Sequence, residues 1–550
     1  MMEITPINVI AISLFESAAT FYLFPQVWPG GTLASFIAVF LALNLSFYAF
    51  YKLVVYPFFR SPFRHLPHPP TRGWPILGHG LVMFQRPAGE SHLKFIKETE
   101  NDGLIAWRSF FHVDRLLVTG PAAIADVLVH NSYDYEKPPW TRNFLRIFLG
   151  DGLLLTEGDD HKHQRKHIMP AFHFRHIKEL YPVFWSKSIE LCDSIKAELH
   201  DKPDSAIDIG HLSTQVTMDI IGMAGLGRDI GSLRNSDDEL IKNYEEILQP
   251  TYERFAYFVL HLLLPRRVIR ALPWKLNESV EITTSNLKRI CTDFVAEKKS
   301  RMKMESQESK DILSIMLRSN NFSDDNLVDQ LLTFLAAGHE TTSSALTWAT
   351  HLLATHPEIQ TRLRAEIHEN IPDPAALSDP SFDIPSLLES LPYLNAVCKE
   401  VLRLYPTLPV SARFAIRDTT ITGQFVPKGT LLLIVPWATN RDPKLWGPDS
   451  EVFRPERWLD TSTGRAAMGG AESNYAFLTF FHGPRSCIGQ VFARAELRAL
   501  VAAVAGQFEM RMADPTEKIR VGGTITSKPI NGMRLRLTPV VWGSAPGVGK

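Results

Sequence analysis

The 550-residue chain has few cysteines and almost no net charge, and both shortages exclude function classes. Its four cysteines, Cys192, Cys291, Cys398 and Cys487, are far apart and form no C-x-x-C pair and no dense secreted framework, so free thiols in a reducing compartment are expected. A formal charge of -1 gives no electrostatic pull toward nucleic acid. No G-x-G-x-x-G unit between a strand and a helix is present, nor any flavin-binding module, so the chain binds no dinucleotide of its own in the usual way. No repeat of fixed period and no second linker interrupts the sequence from about Gly78 to Trp542, which points to one large domain.

What is present at the N-terminus differs from the rest. Leu33 to Tyr51 carries no charge and is long enough to cross a hydrocarbon core as a helix. Its span is expected over about 33–56, with Tyr48, Tyr51 and Tyr56 as an aromatic belt. Lys52, Arg60, Arg64 and Arg72 follow it while only Glu3 and Glu16 precede it, so the positive-inside rule puts the C-terminal bulk in the cytosol. In that topology the sequons at Asn277 and Asn321 stay unglycosylated. A cleaved signal sequence fits less well, because prolines rather than a small-residue cleavage site follow. The earlier apolar stretch from Val9 to Phe24 contains Glu16 and is compatible with a second span, an interfacial helix or a lumenal segment. Dense prolines from Pro57 to Pro75 predict that no helix continues and that a stiff tether, 57–75, joins the anchor (1–56) to the domain (76–550).

Helical patterns outnumber strand patterns in the domain. The clearest helix opens at the capping cluster Ser323-Asp324-Asp325 and runs about 32 residues to His356-Pro357; being apolar on most faces, it should cross the protein centre. Strands are expected at Leu116–Thr119, Thr420–Thr422, Leu431–Val435 and Met533–Thr538. The fold class is therefore mainly α with a small β region.

One loop carries the chemistry. Phe480-Phe481-His482-Gly483-Pro484-Arg485-Ser486-Cys487-Ile488-Gly489 sets glycines four before and two after a cysteine, just ahead of a helix starting near Gln490. The glycines let backbone bend and approach something flat, and the helix N-terminus favours a thiolate. The segment resembles the cysteine-ligand loop of the cytochrome P450 superfamily, F-x-x-G-x-R-x-C-x-G, at Phe480, Gly483, Arg485, Cys487 and Gly489. Three further motifs resemble the family's in its order. Ala337-Gly338-His339-Glu340-Thr341-Thr342 is similar to its oxygen-activation motif, Glu400-Val401-Leu402-Arg403 with Arg457 to its buried network, and Arg165 to the arginine of W-x-x-x-R, with His161 in place of the tryptophan.

The resemblance covers roughly Pro67 to Pro539 and implies a P450 fold holding haem b, with Cys487 as the axial thiolate. It implies that Phe480 packs by the ligand, that Arg485, Arg165, His161 and Arg413 serve the haem propionates, and that Glu340 and Thr341 relay protons. It places the pocket at the loop around Phe144 to Phe148, at Phe334 and Ala337, at Val410 and Ser411, and at the turn Ile525-Thr526. A lipophilic small molecule is the implied substrate, oxidised by one atom of dioxygen, in specialised metabolism of a eukaryotic microbial type. NADPH electrons would come through a separate flavoprotein reductase on the endoplasmic reticulum membrane, docking near Lys162, Arg165, Lys166, Arg175 and Arg494, with cytochrome b5 a further candidate partner. The rivals are a haem-thiolate isomerase or dehydratase, which tends to lack the acid–alcohol pair, and a non-enzymatic haem or ligand carrier.

Overall fold

Ser323 caps the expected helix: its side chain accepts from the Asn326 N–H, and the helix runs from Asp324 to Thr355, 32 residues. Its side chains are buried on most faces, as the all-round apolar pattern requires. The computed structural model describes residues 6–542 apart from 72, 204, 236–238, 249–250, 305–309, 372, 376, 378–381, 461, 464–466 and 524, so the Arg72 charge and the stretch 543–550 of the expected domain lie outside the described residues. The Ile209–Ile221 helix packs closely along this central helix, and the helix Gln490–Gln507 packs on it and on Tyr181–Asp201. Gly338 permits the first of these contacts. A Cβ there would come within 2.9 Å of the Ile221 side chain, so this glycine lets the neighbouring helix approach closely.

The β region is small. Five strands run in the spatial order Leu104–Arg108, Asp114–Val118, Leu431–Ile434, Ser411–Ala415 and Tyr135–Glu136, with the second and third parallel in the register Leu116 to Leu432. A second sheet joins Ile207–Asp208, Arg534–Pro539 and Phe508–Met512. The molecule is thus mostly helical, and the expected strands fall within a residue or so of their places.

At the N-terminus, the helix Leu33–Phe50 continues in wider turns through Tyr51–Arg60, which corrects the expectation that prolines stop it. Pro57 sits inside those turns. The Ser61 N–H reaches back to the Tyr56 carbonyl, one residue further than an α-helix allows, and the wider turn relieves the clash that proline makes with the preceding turn. The whole segment, Leu33–Arg60, is long and apolar enough to cross a membrane. The Val9–Phe24 stretch is also helical, Pro6–Leu23, and packs along it. Glu16 is accommodated there by Asn44, whose Nδ2 donates to its Oε2 at 2.6 Å and to Ser13 Oγ at 3.1 Å. The start of the expected tether is docked: Arg108 Nη2 donates to the Pro57 carbonyl, Ser61 Oγ donates to Asp114 Oδ2, and Phe63 is buried.

Glu400, on the helix Pro392–Leu404, is fully buried between two arginines. Arg403 donates from Nε to its Oε2 at 2.9 Å and from Nη2 to its Oε1 at 2.8 Å; Arg457 Nε adds 2.9 Å to Oε1, and Trp458 Nε1 adds 2.8 Å to Oε2. The remaining guanidinium donors reach the carbonyls of Asn440, Ser450 and Asp449. Asn440 then carries the network onward: its Oδ1 accepts from the Leu478 N–H and its Nδ2 donates to Thr479 Oγ1, immediately before Phe480. We expect Glu400→Ala, which strands two buried guanidinium groups, to cost about 3–5 kcal/mol in a denaturant titration of the purified chain, whereas Glu456→Ala at a half-exposed ion pair costs about 1 kcal/mol or less.

Candidate active site

A cavity of about 470 Å³ opens beside the Cys487 loop and is lined mainly by apolar side chains. Phe480, Arg485, Ser486, Cys487, Ile488 and Gly489 contribute from the loop. The loop is shaped by Gly483, at φ +74°, where a Cβ would strike the Leu128 carbonyl oxygen at 2.1 Å, so only glycine closes this turn. The Cys487 N–H then donates to the Phe480 carbonyl at 2.9 Å, and the helix Gln490–Gln507 follows. Gly489, by contrast, has an ordinary φ of -85°. The Cys487 sulfur is open to the cavity yet deep in the protein, where burial pushes its thiol up against the pull of the Gly489 N–H and the charges of Arg165 and Arg494.

Cations crowd the same cavity. Lys137, Arg165, Arg413 and Arg485 all line it. Arg165 Nη1 donates to the Ser486 carbonyl at 2.8 Å, and Arg413 Nη1 to Ser411 Oγ and the Ala412 carbonyl. Arg485 lies over the Tyr133 ring and meets the Glu157 carboxylate through Nη1, but its Nε and Nη2 are buried without a hydrogen bond among the described residues. Burial pushes Lys137 well below the ordinary lysine value, helped by the charges of Arg413, Arg485 and Arg142, and pushes Arg413 down to about 10. Among the described residues, Glu157 is the carboxylate in ion-pair range of both Lys137 and Arg485. A set of buried cations exceeding its anions, with orphaned donors, fits a ligand carrying two carboxylates. The sulfur facing the same space fits a metal that this ligand holds.

A family model of cytochrome P450 matches residues 67–533. This chain belongs to the cytochrome P450 family. Among curated proteins, it is 40% identical to the cytochrome P450 monooxygenase sphH of Aspergillus fumigatus, over 97% of this chain and 98% of that protein. It is 39% identical to ptmK of Penicillium ochrochloron over 90% and 97%, and 36% identical to FUM15 of Gibberella moniliformis over 89% and 90%, both also named cytochrome P450 monooxygenases. The chain is accordingly a haem-dependent oxidoreductase of the monooxygenase class, of fungal type.

In this P450 most of the sequence-predicted site residues converge on one cavity. Arg165, His161, Arg413, Phe148, Phe334, Ala337, Glu340, Thr341, Ser411, Ile525 and Thr526 all line it. Phe144 and Phe148 stand on a helix, Pro139–Leu149, rather than on the expected loop. Val410 is not part of the lining; it packs on the cluster around Trp107, Val435 and Trp437, because neighbouring residues of extended chain face opposite ways. Its place is taken by Thr407 and Leu408. His161 is buried, shares a 3.2 Å hydrogen bond with Tyr133 Oη, and is pushed down to about 4 by burial and by Lys137 and Arg165, so it is a neutral imidazole. Of the expected docking patch, Lys162, Lys166 and Arg175 are exposed, while Arg494 is largely covered and stacks on Phe480.

Glu340 has partners the sequence did not suggest. Lys528 Nζ donates to its Oε2 at 2.6 Å and Thr526 Oγ1 to its Oε1 at 2.7 Å. Burial alone would raise this carboxyl, but the Lys528 ammonium, His339 and the two hydrogen bonds reverse that and hold it below its ordinary value. It is a carboxylate at neutral pH. Thr341 Oγ1 donates to the Ala337 carbonyl at 2.7 Å, one turn back, and its oxygen remains at the cavity wall. Lys137 and Lys528 were missed because each stands alone among prolines and turn residues, with no periodicity or motif to mark it.

Since Glu340 is depressed when folded, the stability its ion pair contributes is present above the ordinary carboxylate value of 4.5 and is lost as pH falls through the folded value. Lys528→Met should therefore cost about 1–3 kcal/mol at neutral pH, with the deficit shrinking as the unpaired Glu340 protonates near pH 4.5 and above. Thermal melts of both proteins from about pH 3 to 8, a range that brackets the ordinary glutamate value, check the sign; a deficit that is constant with pH contradicts the ion pair.

Proposed function

We propose that this P450 inserts one oxygen atom of dioxygen into a lipophilic small molecule of specialised metabolism, with electrons from NADPH delivered by a separate flavoprotein reductase. The observation that carries it is the Cys487 sulfur opening into the same cation-lined cavity that holds Glu340 and Thr341. Cys487 would ligate the iron as thiolate, with Phe480 packed beside the loop and Arg485, Arg413, Arg165 and His161 holding the propionates. Haem b bound there supplies an iron that binds dioxygen and accepts electrons singly.

The chain's own residues relay the protons. A carboxylate passes on a proton only after receiving one from water that enters the cavity, and Lys528 Nζ, 2.6 Å from Glu340 Oε2, holds that carboxylate in place and ionised between deliveries. Glu340 can then hand it toward Thr341, whose hydroxyl borders the cavity. Apolar walls from Phe148, Phe334 and Leu408 exclude water and favour a lipophilic guest.

The Leu33–Arg60 helix would anchor the enzyme in the endoplasmic reticulum membrane, leaving the catalytic domain in the cytosol beside its reductase, with cytochrome b5 as an alternative electron donor. The exposed Lys162, Lys166 and Arg175 support docking of an acidic partner.

Purified holoprotein, flavoprotein reductase, NADPH and extracts of apolar metabolites form the test. We expect mass gains of one oxygen atom that require all of NADPH, reductase and dioxygen. Thr341→Ala should lower product formation about a hundredfold, the low end of what a positioned proton-transfer group contributes, while NADPH is still consumed. Turnover of peroxides without NADPH would instead assign the isomerase reading.

A further inference from the structure

The cavity has a second polar region that the chemistry at Cys487 does not use. Glu246 on the helix Glu239–Leu248, Arg254 on Tyr252–Leu263, and Ser279 and Thr283 on Lys275–Met304 all line it. Ser279 Oγ donates to Glu246 Oε1, and Thr283 Oγ1 donates to Oε2 at 3.1 Å, so both carboxylate oxygens are engaged. Arg254 is served less well. Its Nη2 lies 3.8 Å from Glu246 Oε1, outside hydrogen-bond distance, and among the described residues its guanidinium makes no hydrogen bond. Yet the Arg254 side chain is only 18% exposed, against 45% for Glu246. The Arg254 guanidinium thus lines the cavity beside Tyr257, Leu276 and Val280 with its charge only loosely matched by Glu246 and, among the described residues, with its hydrogen-bond donors open to an incoming group.

We propose that Arg254 receives the anionic head of the substrate, a single carboxylate, while the apolar body of the molecule extends along Phe144, Phe148 and Phe334. This deepens the monooxygenase reading and rests on it, since it names the substrate class of that same cavity. The planar fork of a guanidinium matches a carboxylate in two parallel hydrogen bonds. The neighbouring Glu246 sets the charge: one negative group beside Arg254 is tolerated, whereas a dianionic phosphate would meet the repulsion of Glu246 twice over. Ser279 and Thr283 fix Glu246 in place, so it does not swing across to close on Arg254. The substrate is thus an amphiphilic long-chain acid rather than a uniformly apolar hydrocarbon.

The test titrates the full-length holoprotein in detergent with dodecanoic and hexadecanoic acids, their methyl esters, the corresponding primary alcohols and dodecyl phosphate, reading the Soret shift and, independently, heat by calorimetry. The acids should bind about tenfold or more tighter than ester, alcohol or phosphate, the effect of one charge-assisted pair. Arg254→Leu should abolish that preference while ester binding stays unchanged, Arg254→Lys should retain part of it, and Glu246→Gln should tighten the acids severalfold. Acids that fail to bind, esters or alcohols that bind equally well, or a preference that survives Arg254→Leu overturn the proposal. The reduced carbon-monoxide spectrum, recorded on every variant, confirms an intact haem site. It also separates the two readings, because a wild type without the thiolate band refutes the monooxygenase, whereas a wild type with that band and no acid preference refutes the role of Arg254.

Discussion

The burial of one carboxylate, Glu400, between Arg403 and Arg457 is the constraint on which the rest of the site depends. Neither Glu400 nor Arg403 retains any exposed surface, and Trp458 and a ring of backbone carbonyls complete the set. Such a network stabilises little compared with apolar packing, but it is intolerant of any geometry except the one that satisfies every donor. Here that geometry pins Asn440, and Asn440 pins Leu478 and Thr479. The residues that follow are the loop that presents Cys487. The ion network is therefore a positioning device for a sulfur on another segment, and the fold around it is organised to keep water out.

The second theme is charge imbalance. On one side of the cavity, burial weakens the protonation of Lys137, Arg165, Arg413 and Arg485, and Arg413 and Arg485 repel Lys137. That arrangement is costly alone and favourable around an anionic cofactor, so binding of haem and consolidation of this region are coupled. On the central helix the balance is opposite: Glu340 is matched by Lys528, and its ionised state is secured before any ligand arrives. Glu496, on the helix after Cys487, is a third case, buried, shifted far upward by desolvation and so neutral. The two acids, Glu340 and Glu496, thus differ in protonation, each set by what surrounds it.

Much of this was legible in the sequence, for identifiable reasons. The helix Asp324–Thr355 was readable because a capping cluster, an unbroken apolar pattern and a proline stop all agree. Cys487, Glu400 and Arg403 were readable through dense local motifs. The strands Leu104–Arg108 and Ser411–Ala415 were not, because each is only five residues long and neither shows a clean alternation of buried and exposed side chains. Pro57 misled because proline forbids an α-helical turn but tolerates a wider one. Lys137, Lys528 and Arg254 gain their meaning only from tertiary neighbours, and no local pattern announces them.

The most direct measurement is the carbon-monoxide difference spectrum of dithionite-reduced membranes carrying the wild type and Cys487→Ala at matched haem content. The red-shifted Soret band of thiolate-ligated haem should be present in the wild type and absent in the variant. Haem-loaded wild type without that band, or a variant that keeps it, would mean that the iron is held by something other than Cys487, and the organisation of the cavity around that sulfur would be wrong.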